Sequence, residues 1–275
     1  MGLRINNNIA AFNAYRNLSV TDGQMSKSLE KLSSGFRINR AADDAAGLAI
    51  SEGLRAQIGG LKVAVRNAQD GISVVQTAEG ALTETHSILQ RMRDLAVQAS
   101  NDGAQNAASK GAADAEFQQL ASELDDIANK TTFNGTNLLD GTFNKDFQVG
   151  AQAGETLNIT IDNGSGGSLD SAGLGVSGQD LTTGASAAIT AVDTAIAAVS
   201  DTRAALGASQ NRLEHKINNL NVTVENLNAS ESRIRDTDMA QEMVAFTRSQ
   251  LLSQAGTAML AQANQAPQSV LKLLQ

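Results

Sequence analysis

The placement of proline is the sequence feature that most constrains this chain. Its single proline is Pro267, so everything upstream lacks the residue that most strongly interrupts a helix. Alanine, leucine, glutamine and serine are abundant, which permits helices far longer than the globular mean of about 11 residues. We therefore expect long, uninterrupted helices over most of the chain.

Apolar residues recur at alternating steps of four and three in two long segments, the spacing of helices that pack along a coiled-coil-like stripe. A helix of about 50 residues is about 75 Å long, so this spacing predicts an antiparallel helical rod. The first stripe comprises Leu54, Ile58, Leu61, Val65, Ala68, Ile72, Val75, Leu82 and Leu89, and it drifts to a parallel seam from Val74 to Ala99. The second comprises Ala185, Ile189, Val192, Ile196, Val199, Leu206, Leu213, Ile217, Leu220, Val224, Leu227 and Ile234.

The segment between the two stripes differs from them in residue spacing and composition. Residues 101–130 have the spacing of a shorter helix, and 147–151 and 157–161 alternate apolar and polar residues, which predicts a β-hairpin near 143–162. Residues 163–184 are rich in Gly, Ser and Asp, and they are too few and too poor in bulky side chains to bury a core. We expect them to form a loop.

The two ends of the chain are apolar at helical spacing but carry very few charges, which makes them poor candidates for exposure to solvent. Two interpretations remain open: the ends pair within one monomer, or other copies of the chain complete them in an oligomer or filament. The candidate assembly residues are Ile5, Ile9, Phe12, Met243, Phe246, Leu251, Leu252, Met259, Val270 and Leu271.

Composition excludes several function classes. A formal net charge of -8 has the wrong sign for a nucleic-acid partner, and the absence of cysteine removes thiolate metal sites and cysteine nucleophiles. The chain has no run of 18 consecutive apolar residues, so the sequence predicts no membrane span. Its polar N-terminal sequence does not resemble a cleaved signal peptide.

Candidate catalytic motifs are weak. His86 and His215 have no metal-ligand partners at a suitable spacing, and the G-x-G-x-x-G match at 173–178 lies in a Gly/Ser loop outside any βαβ unit. Asp43 and Asp44 are more consistent with a helix N-terminus than with a metal site. The sequence predicts no enzyme, no cofactor and no metal.

Several long motifs resemble the bacterial flagellin family. The clearest run is Leu32-Ser-Ser-Gly-Phe-Arg-Ile-Asn-Arg-Ala-Ala-Asp-Asp-Ala-Ala-Gly47, and the resemblance covers roughly residues 1–140 and 185–275. It implies a structural subunit of the extracellular flagellar filament for swimming, exported by the type III pathway without a cleaved signal peptide. The partners it implies are other copies of the chain, the hook-associated junction and cap proteins, and an export chaperone at the C-terminal helix.

The resemblance also implies a domain organisation. Residues 1–43 and 236–275 would form the terminal-helix filament core, and 44–162 with 181–235 a helical rod domain. Residues 163–180 would replace the variable outer domain of longer members. In flagellins recognised by the animal Toll-like receptor for flagellin, the positions matching Arg91, Leu95 and Glu116 make the main contacts, so we expect recognition of the depolymerised monomer. We also expect neighbouring protofilaments to bury this face.

Two alternatives to a flagellin remain open. The hook-filament junction protein of the same export system shares the terminal helices, and a coiled-coil binding module that stays monomeric would have ordered ends and form no polymer. The uninterrupted N-terminal signature favours the flagellin interpretation.

Overall fold

A computed structural model describes residues 7–103, 105–164 and 166–273, with side chains described as far as residue 265. Within these ranges the chain is mainly helical with two small antiparallel sheets, as the sequence predicts. The elements are α1 (Ile9–Ser34), α2 (Ala45–Ala99), α3 (Ala107–Lys130), β1 (Thr132–Phe133), β2 (Thr136–Asn137), β3 (Phe143–Gln148), β4 (Thr156–Ile161), α4 (Ala185–Arg235) and α5 (Met239–Leu273). They form two compact units, residues 1–56 with 226–275 and residues 57–225.

Carboxylates define the starts of two helices. The Asp44 Oδ1 atom accepts a hydrogen bond from Gly47 N at 2.9 Å at the start of α2, and Asp238 Oδ1 accepts from Ala240 N at 2.9 Å before α5. Asp43 accepts from the backbone N–H groups of Arg40 and Asn39, and these bonds lower the pKa of its carboxyl group. The prediction of a turn followed by a helix N-terminus is confirmed, because Asp43 accepts from the turn at residues 39–40 and Asp44 accepts from the first turn of α2.

The core of the unit formed by residues 57–225 lies between α2, α3, α4 and the hairpin. On α4 the buried branched residues repeat every seven positions, which is the heptad period of a packed stripe. Alanines also occupy this stripe: Ala188 and Ala195 are almost fully buried, whereas the neighbouring Ile189 and Ile196 pack only partly against the core. The heptad residues are Val192, Val199, Leu206, Leu213 and Leu220.

The hairpin pairs β3 with β4 antiparallel, from Phe143 opposite Ile161 to Gln148 opposite Thr156. Its first strand begins earlier than the predicted 147–151 because Asn144, Lys145 and Asp146 form strand without alternating in polarity. Helix α3 begins at Ala107, later than the predicted residue 101, because the Asn106 side chain caps it by accepting from Ser109 N at 2.7 Å.

The segment 162–184 has neither helix nor strand among its described residues, as predicted, but it does contribute to the core. It forms no domain of its own, but its side chains Leu169, Leu174, Val176 and Leu181 are buried in the core of the unit formed by residues 57–225. These four residues have no regular period, so no helical or strand pattern predicts their burial. We call residues 162–184 the strap.

Helices α1 and α5 pack against each other in the other unit. Asn8 Nδ2 donates to Ala263 O at 2.7 Å, and Ser253 Oγ donates to Asp22 Oδ1 at 2.9 Å. A Cβ atom on Gly256 would lie 3.2 Å from Leu18 Cδ1, so the small residue permits close approach of the two helices. The buried residues of α1 and α5 are small, Ser28 and Ser249.

Candidate assembly surface

Large apolar side chains lie on the outside of α1 and α5. Phe12 is 70 % exposed and Met259 is 65 % exposed, values typical of charged surface residues rather than of a helix core. Pairing of the two helices within one chain therefore buries only one stripe of each helix and leaves apolar side chains exposed on the other faces. The large apolar residues exposed on these helices include Ile9, Phe12, Tyr15, Val20, Leu29, Met239, Met243, Val244, Leu251, Leu252 and Met259.

An apolar groove runs along the free side of α5. It is open to solvent, has a volume of about 600 Å³ and is lined by Met243, Val244, Thr247, Leu251 and neighbouring residues of α5. Its only charged lining residue among those described is Arg248. Exposed contiguous apolar surface of this kind is typical of protein interaction sites.

The structure places most of the predicted assembly residues on this surface. Ile9, Phe12, Met243, Leu251, Leu252 and Met259 are all at least half exposed, and Phe246 is half-buried. Ile5 and the side chains of Val270 and Leu271 lie outside the described residues. Tyr15, Val20 and Val244 also lie on this exposed surface, although they are not among the predicted assembly residues.

The segment that follows α1 is hydrogen-bonded to the segment that precedes α5. Phe36 forms a bridge with Asp236, and Arg37 N donates to Arg235 O at 2.6 Å. The Arg235 guanidinium lies 4.8 Å from the Phe36 ring centroid and forms an ion pair with Glu52 at 2.6 Å. Hydrogen bonding from Arg235 is the main cause of the lowered pKa of the Glu52 carboxyl group. This Arg235 clamp was not found from the sequence, since its partners are separated by more than one hundred residues.

The three predicted receptor residues lie in the other unit. Arg91 Nε donates to Glu116 Oε1 at 2.8 Å, so an exposed ion pair joins α2 to α3. Leu95, one helical turn from Arg91, is only 2 % exposed and packs in the core. The structure thus brings Arg91 and Glu116 together on the surface and places Leu95 beneath it.

The described residues offer little for catalysis or metal binding. They contain no group of three or more His, Asp and Glu side chains arranged to hold a metal ion. The G-x-G-x-x-G match lies entirely within the strap, in turns. Across the described ranges, no helix is both long enough and apolar enough to span a bilayer.

The fold and this surface define a class of protein: a mainly helical subunit whose terminal helices expose an apolar face suited to a protein partner. Comparison with known proteins identifies the family. A family model for the bacterial flagellin N-terminal helical region matches residues 5–144, and one for the C-terminal helical region matches residues 189–274. The chain belongs to the bacterial flagellin family.

Curated relatives match nearly the whole chain. The flagellin of Halalkalibacterium halodurans is 54 % identical over 273 residues, 98 % of this chain and 99 % of that protein. The flagellin of Bacillus subtilis is 50 % identical over 99 % of this chain and 100 % of its own length. A crystal structure of Bacillus cereus flagellin covers 56 % of this chain and 88 % of its own, with 39 % identity and a TM-score of 0.49.

Family membership establishes the general role. The protein is a structural subunit of the extracellular flagellar filament, forms a homopolymer and is not an enzyme. The relatives that match over its full length are named flagellins and flagellar filament core proteins, which favours a filament subunit over the junction protein and over a monomeric binding module.

Proposed function

We propose that the exposed apolar faces of α1 and α5 are covered by the same helices of neighbouring copies, forming the inner core of a filament that drives swimming. The exposed apolar surface on both terminal helices is the observation that carries this proposal. Each square ångström of apolar surface removed from water contributes about 25 cal/mol, so assembly and ordering of the ends are coupled. This assigns residues 1–43 and 236–275 to the core, with 44–162 and 181–235 around it.

A pair of valine substitutions tests the apolar contact. Val244, on the α5 groove, is 61 % exposed, and Val222, on α4, is 57 % exposed. Val244→Asp places a charge in the proposed contact and should prevent filament formation from heated, then seeded, monomer. Val222→Asp introduces the same charge at matched exposure and should leave filaments intact in negative-stain electron microscopy.

Two results would contradict the proposal. The first is a wild-type chain that remains monomeric with seeds and salt. The second is Val244→Asp protein that forms filaments as readily as Val222→Asp protein. Deletion of residues 239–275 provides a further check, because filaments formed without α5 would exclude it from the core.

A second function is recognition of the monomer by the animal Toll-like receptor for flagellin. The exposed ion pair between Arg91 and Glu116 supports it, because these two predicted contact residues occupy one surface of α2 and α3. Leu95, the third predicted contact residue, is only 2 % exposed and packs in the core, so the proposal rests on Arg91 and Glu116.

A receptor reporter assay tests this second function. Arg91→Ala should reduce the response to depolymerised protein by at least about tenfold, equivalent to about 1.4 kcal/mol. Arg55→Ala is the matched control, since both arginines lie on α2, both form an ion pair, and each side chain is 54 % exposed. An equal response to the two variants would contradict the assignment.

The remaining partners follow from the same family role. We propose export through the type III pathway without a cleaved signal peptide, and binding of an export chaperone to α5 before assembly. The exposed groove on α5 supports this, because an apolar surface needs protection until other copies cover it. The junction and cap proteins would contact the terminal subunits of the filament, and the strap would stand where longer members carry an outer domain.

A further inference from the structure

A basic cavity lies between the hairpin and α4. It encloses about 490 Å³, and its apolar floor is formed by Val149 and Leu157. Arg212, His215 and Lys216 line the same cavity on the α4 side. Two acidic residues adjoin the lining in sequence, and both are hydrogen-bonded outside it: Glu214 Oε1 accepts from Gln210 Nε2 at 3.0 Å, and Glu155 Oε2 accepts from Gln152 N at 3.0 Å.

This concentration of positive charge is unusual for its surroundings. Residues 57–225 contain twice as many Asp and Glu as Lys and Arg, so their unit is strongly acidic. A basic rim around an apolar floor fits a partner that presents an apolar side chain beside a carboxylate. An acidic chain that polymerises supplies such partners in its own copies.

One face of α2 has this chemistry. Val97 is 47 % exposed and lies three residues after the exposed Asp94, so both occupy the same side of the helix. The adjacent cations are already engaged: Arg91 bonds Glu116, and Arg93 bonds Asp193 at 2.6 Å. Asp94 and Val97 therefore present an acidic and apolar face to solvent.

The cavity and this face lie at opposite ends of one unit. Asn67 Nδ2 donates to Gln148 O at 3.0 Å, which fixes the hairpin end that carries Val149 to α2 near residue 67. Thirty residues of continuous helix separate Asn67 from Val97, a distance of about 45 Å at 1.5 Å per residue. Contact between the two sites within one copy is therefore excluded.

From this arrangement we propose that the Asp94–Val97 face of one copy docks into the basic cavity of the next, with Val97 against Val149 and Leu157 and Asp94 beside Arg212 and Lys216. Two different surfaces at opposite ends of a unit produce a head-to-tail contact that repeats without closing. The docking rests on the proposed filament function, because it supplies a second contact between copies in addition to the terminal helices.

Engineered cysteines test the docking directly, since the natural chain has none. Thr156 lines the cavity and is exposed, so a chain carrying both Val97→Cys and Thr156→Cys has one thiol at each side of the proposed contact. Filaments assembled under reducing conditions and then oxidised should give a ladder of covalent oligomers on a non-reducing gel. Filaments of either single variant should give no ladder, and a mixture of the two single variants should give dimers.

Charge reversal gives an independent measurement. Arg212→Glu with Lys216→Glu should raise the critical concentration for assembly about tenfold, and Asp94→Lys should restore part of the loss in the triple variant. Lys62→Glu, at an exposed position on α2 outside the cavity lining, should leave the critical concentration within about twofold of wild type.

The outcomes separate the docking from the proposed function. Wild-type filaments with no ladder from the double-cysteine variant would overturn the docking and leave the filament function standing. The same conclusion follows if the charge-reversal and Lys62→Glu variants assemble alike. A wild-type chain that fails to polymerise would overturn both.

Discussion

Gly141 and Gly111 show how the backbone of a single residue decides the effect of one substitution. Gly141 has a φ of +75°, and an added Cβ would lie 2.5 Å from Gly167 C and Ser168 N in the strap. Gly111 lies inside α3, where an added Cβ has no atom within 4 Å. The two residues are therefore opposite cases for replacement by alanine.

We expect Gly141→Ala to lower the free energy of unfolding by at least about 2 kcal/mol, because it combines an unfavourable φ with a backbone clash. Gly111→Ala should raise it by about 0.5–1 kcal/mol through helix propensity. Urea unfolding of the monomer, followed by circular dichroism, measures both. Effects of the same sign for the two variants would be inconsistent with this assignment.

The Glu52 carboxylate gives a prediction about pH. Its folded-state pKa lies below the usual value of 4.5 because Arg235 donates a hydrogen bond to it. The folded state therefore favours the ionised form, so the stabilising contribution is complete above pH 4.5 and declines as pH falls through the lower folded pKa. The stability difference between wild type and Glu52→Gln should be constant near neutral pH and should shrink in acid. A difference that grows on acidification would contradict it.

Residues could be predicted from sequence where their role is local. The turn closed by Asp43 and the helix start capped by Asp44 depend on neighbours a few residues away, and both were predicted. The Arg235 clamp depends on Phe36 and Glu52, distant in the chain, and no local pattern encodes it.

The strap shows how an element without regular structure is held in place. Two aspartates of α3 accept its backbone N–H groups: Asp125 Oδ1 from Ser171 N at 2.8 Å, and Asp114 Oδ1 from Leu181 N at 3.0 Å. Within the strap, Asp180 accepts from the side chain and backbone of Thr182, which lowers the pKa of its carboxyl group. These carboxylates accept hydrogen bonds from backbone N–H groups near the buried core, as carbonyl groups of a neighbouring strand do in a β-sheet.

We expect Asp125→Ala to lower the free energy of unfolding by about 1–3 kcal/mol, because it leaves the Ser171 N–H without its acceptor near the core. Amide hydrogen exchange at Ser171 should accelerate relative to that at residues of α2. Asp126→Ala is the control, since its carboxylate is exposed and pairs with Lys130 one turn along α3. That control should change stability by less than about 0.5 kcal/mol. Unchanged exchange at Ser171 in Asp125→Ala would argue against the capping role.

Long periodic elements were predictable, whereas their irregular partners were not. The four-three spacing identified α2 and α4 because each helix repeats the same contact many times. This spacing selected Ile189 and Ile196 over the more deeply buried Ala188 and Ala195, because large apolar residues define an apolar pattern most clearly. Close packing of helices, in contrast, favours small residues at the contact. The backbone N–H groups of Leu169 and Leu181 donate to Leu139 O and to Asp114 Oδ1, and these acceptors lie outside the strap sequence.

The two units of the molecule differ in how much apolar surface each buries within itself. The main hydrophobic core draws its residues from the unit formed by 57–225, from Ala68 to Leu213. The helices α1 and α5 bury Ser28 and Ser249 in place of large apolar side chains and leave Phe12 and Met259 largely exposed. The unit formed by residues 57–225 thus has most of its hydrophobic stabilisation within one copy. Helices α1 and α5 instead keep apolar surface available for contacts with other copies.

We therefore predict two classes of hydrogen exchange in the monomer. Amides of α2 and α3 around Leu89 and Phe117 should exchange slowly, because their opening exposes a fully buried core. Amides of α1 and α5 around Phe12 and Leu251 should exchange rapidly in the monomer, and at least about a hundredfold more slowly in the filament as neighbouring copies cover them. Pulse-labelling mass spectrometry on both forms provides the comparison, and Val244→Asp monomer under filament-forming conditions serves as the control that should retain rapid exchange. Equal protection of α1 and α5 before and after polymerisation would mean that the terminal helices are complete within one copy, and the filament would then have to be held by the surfaces of the other unit.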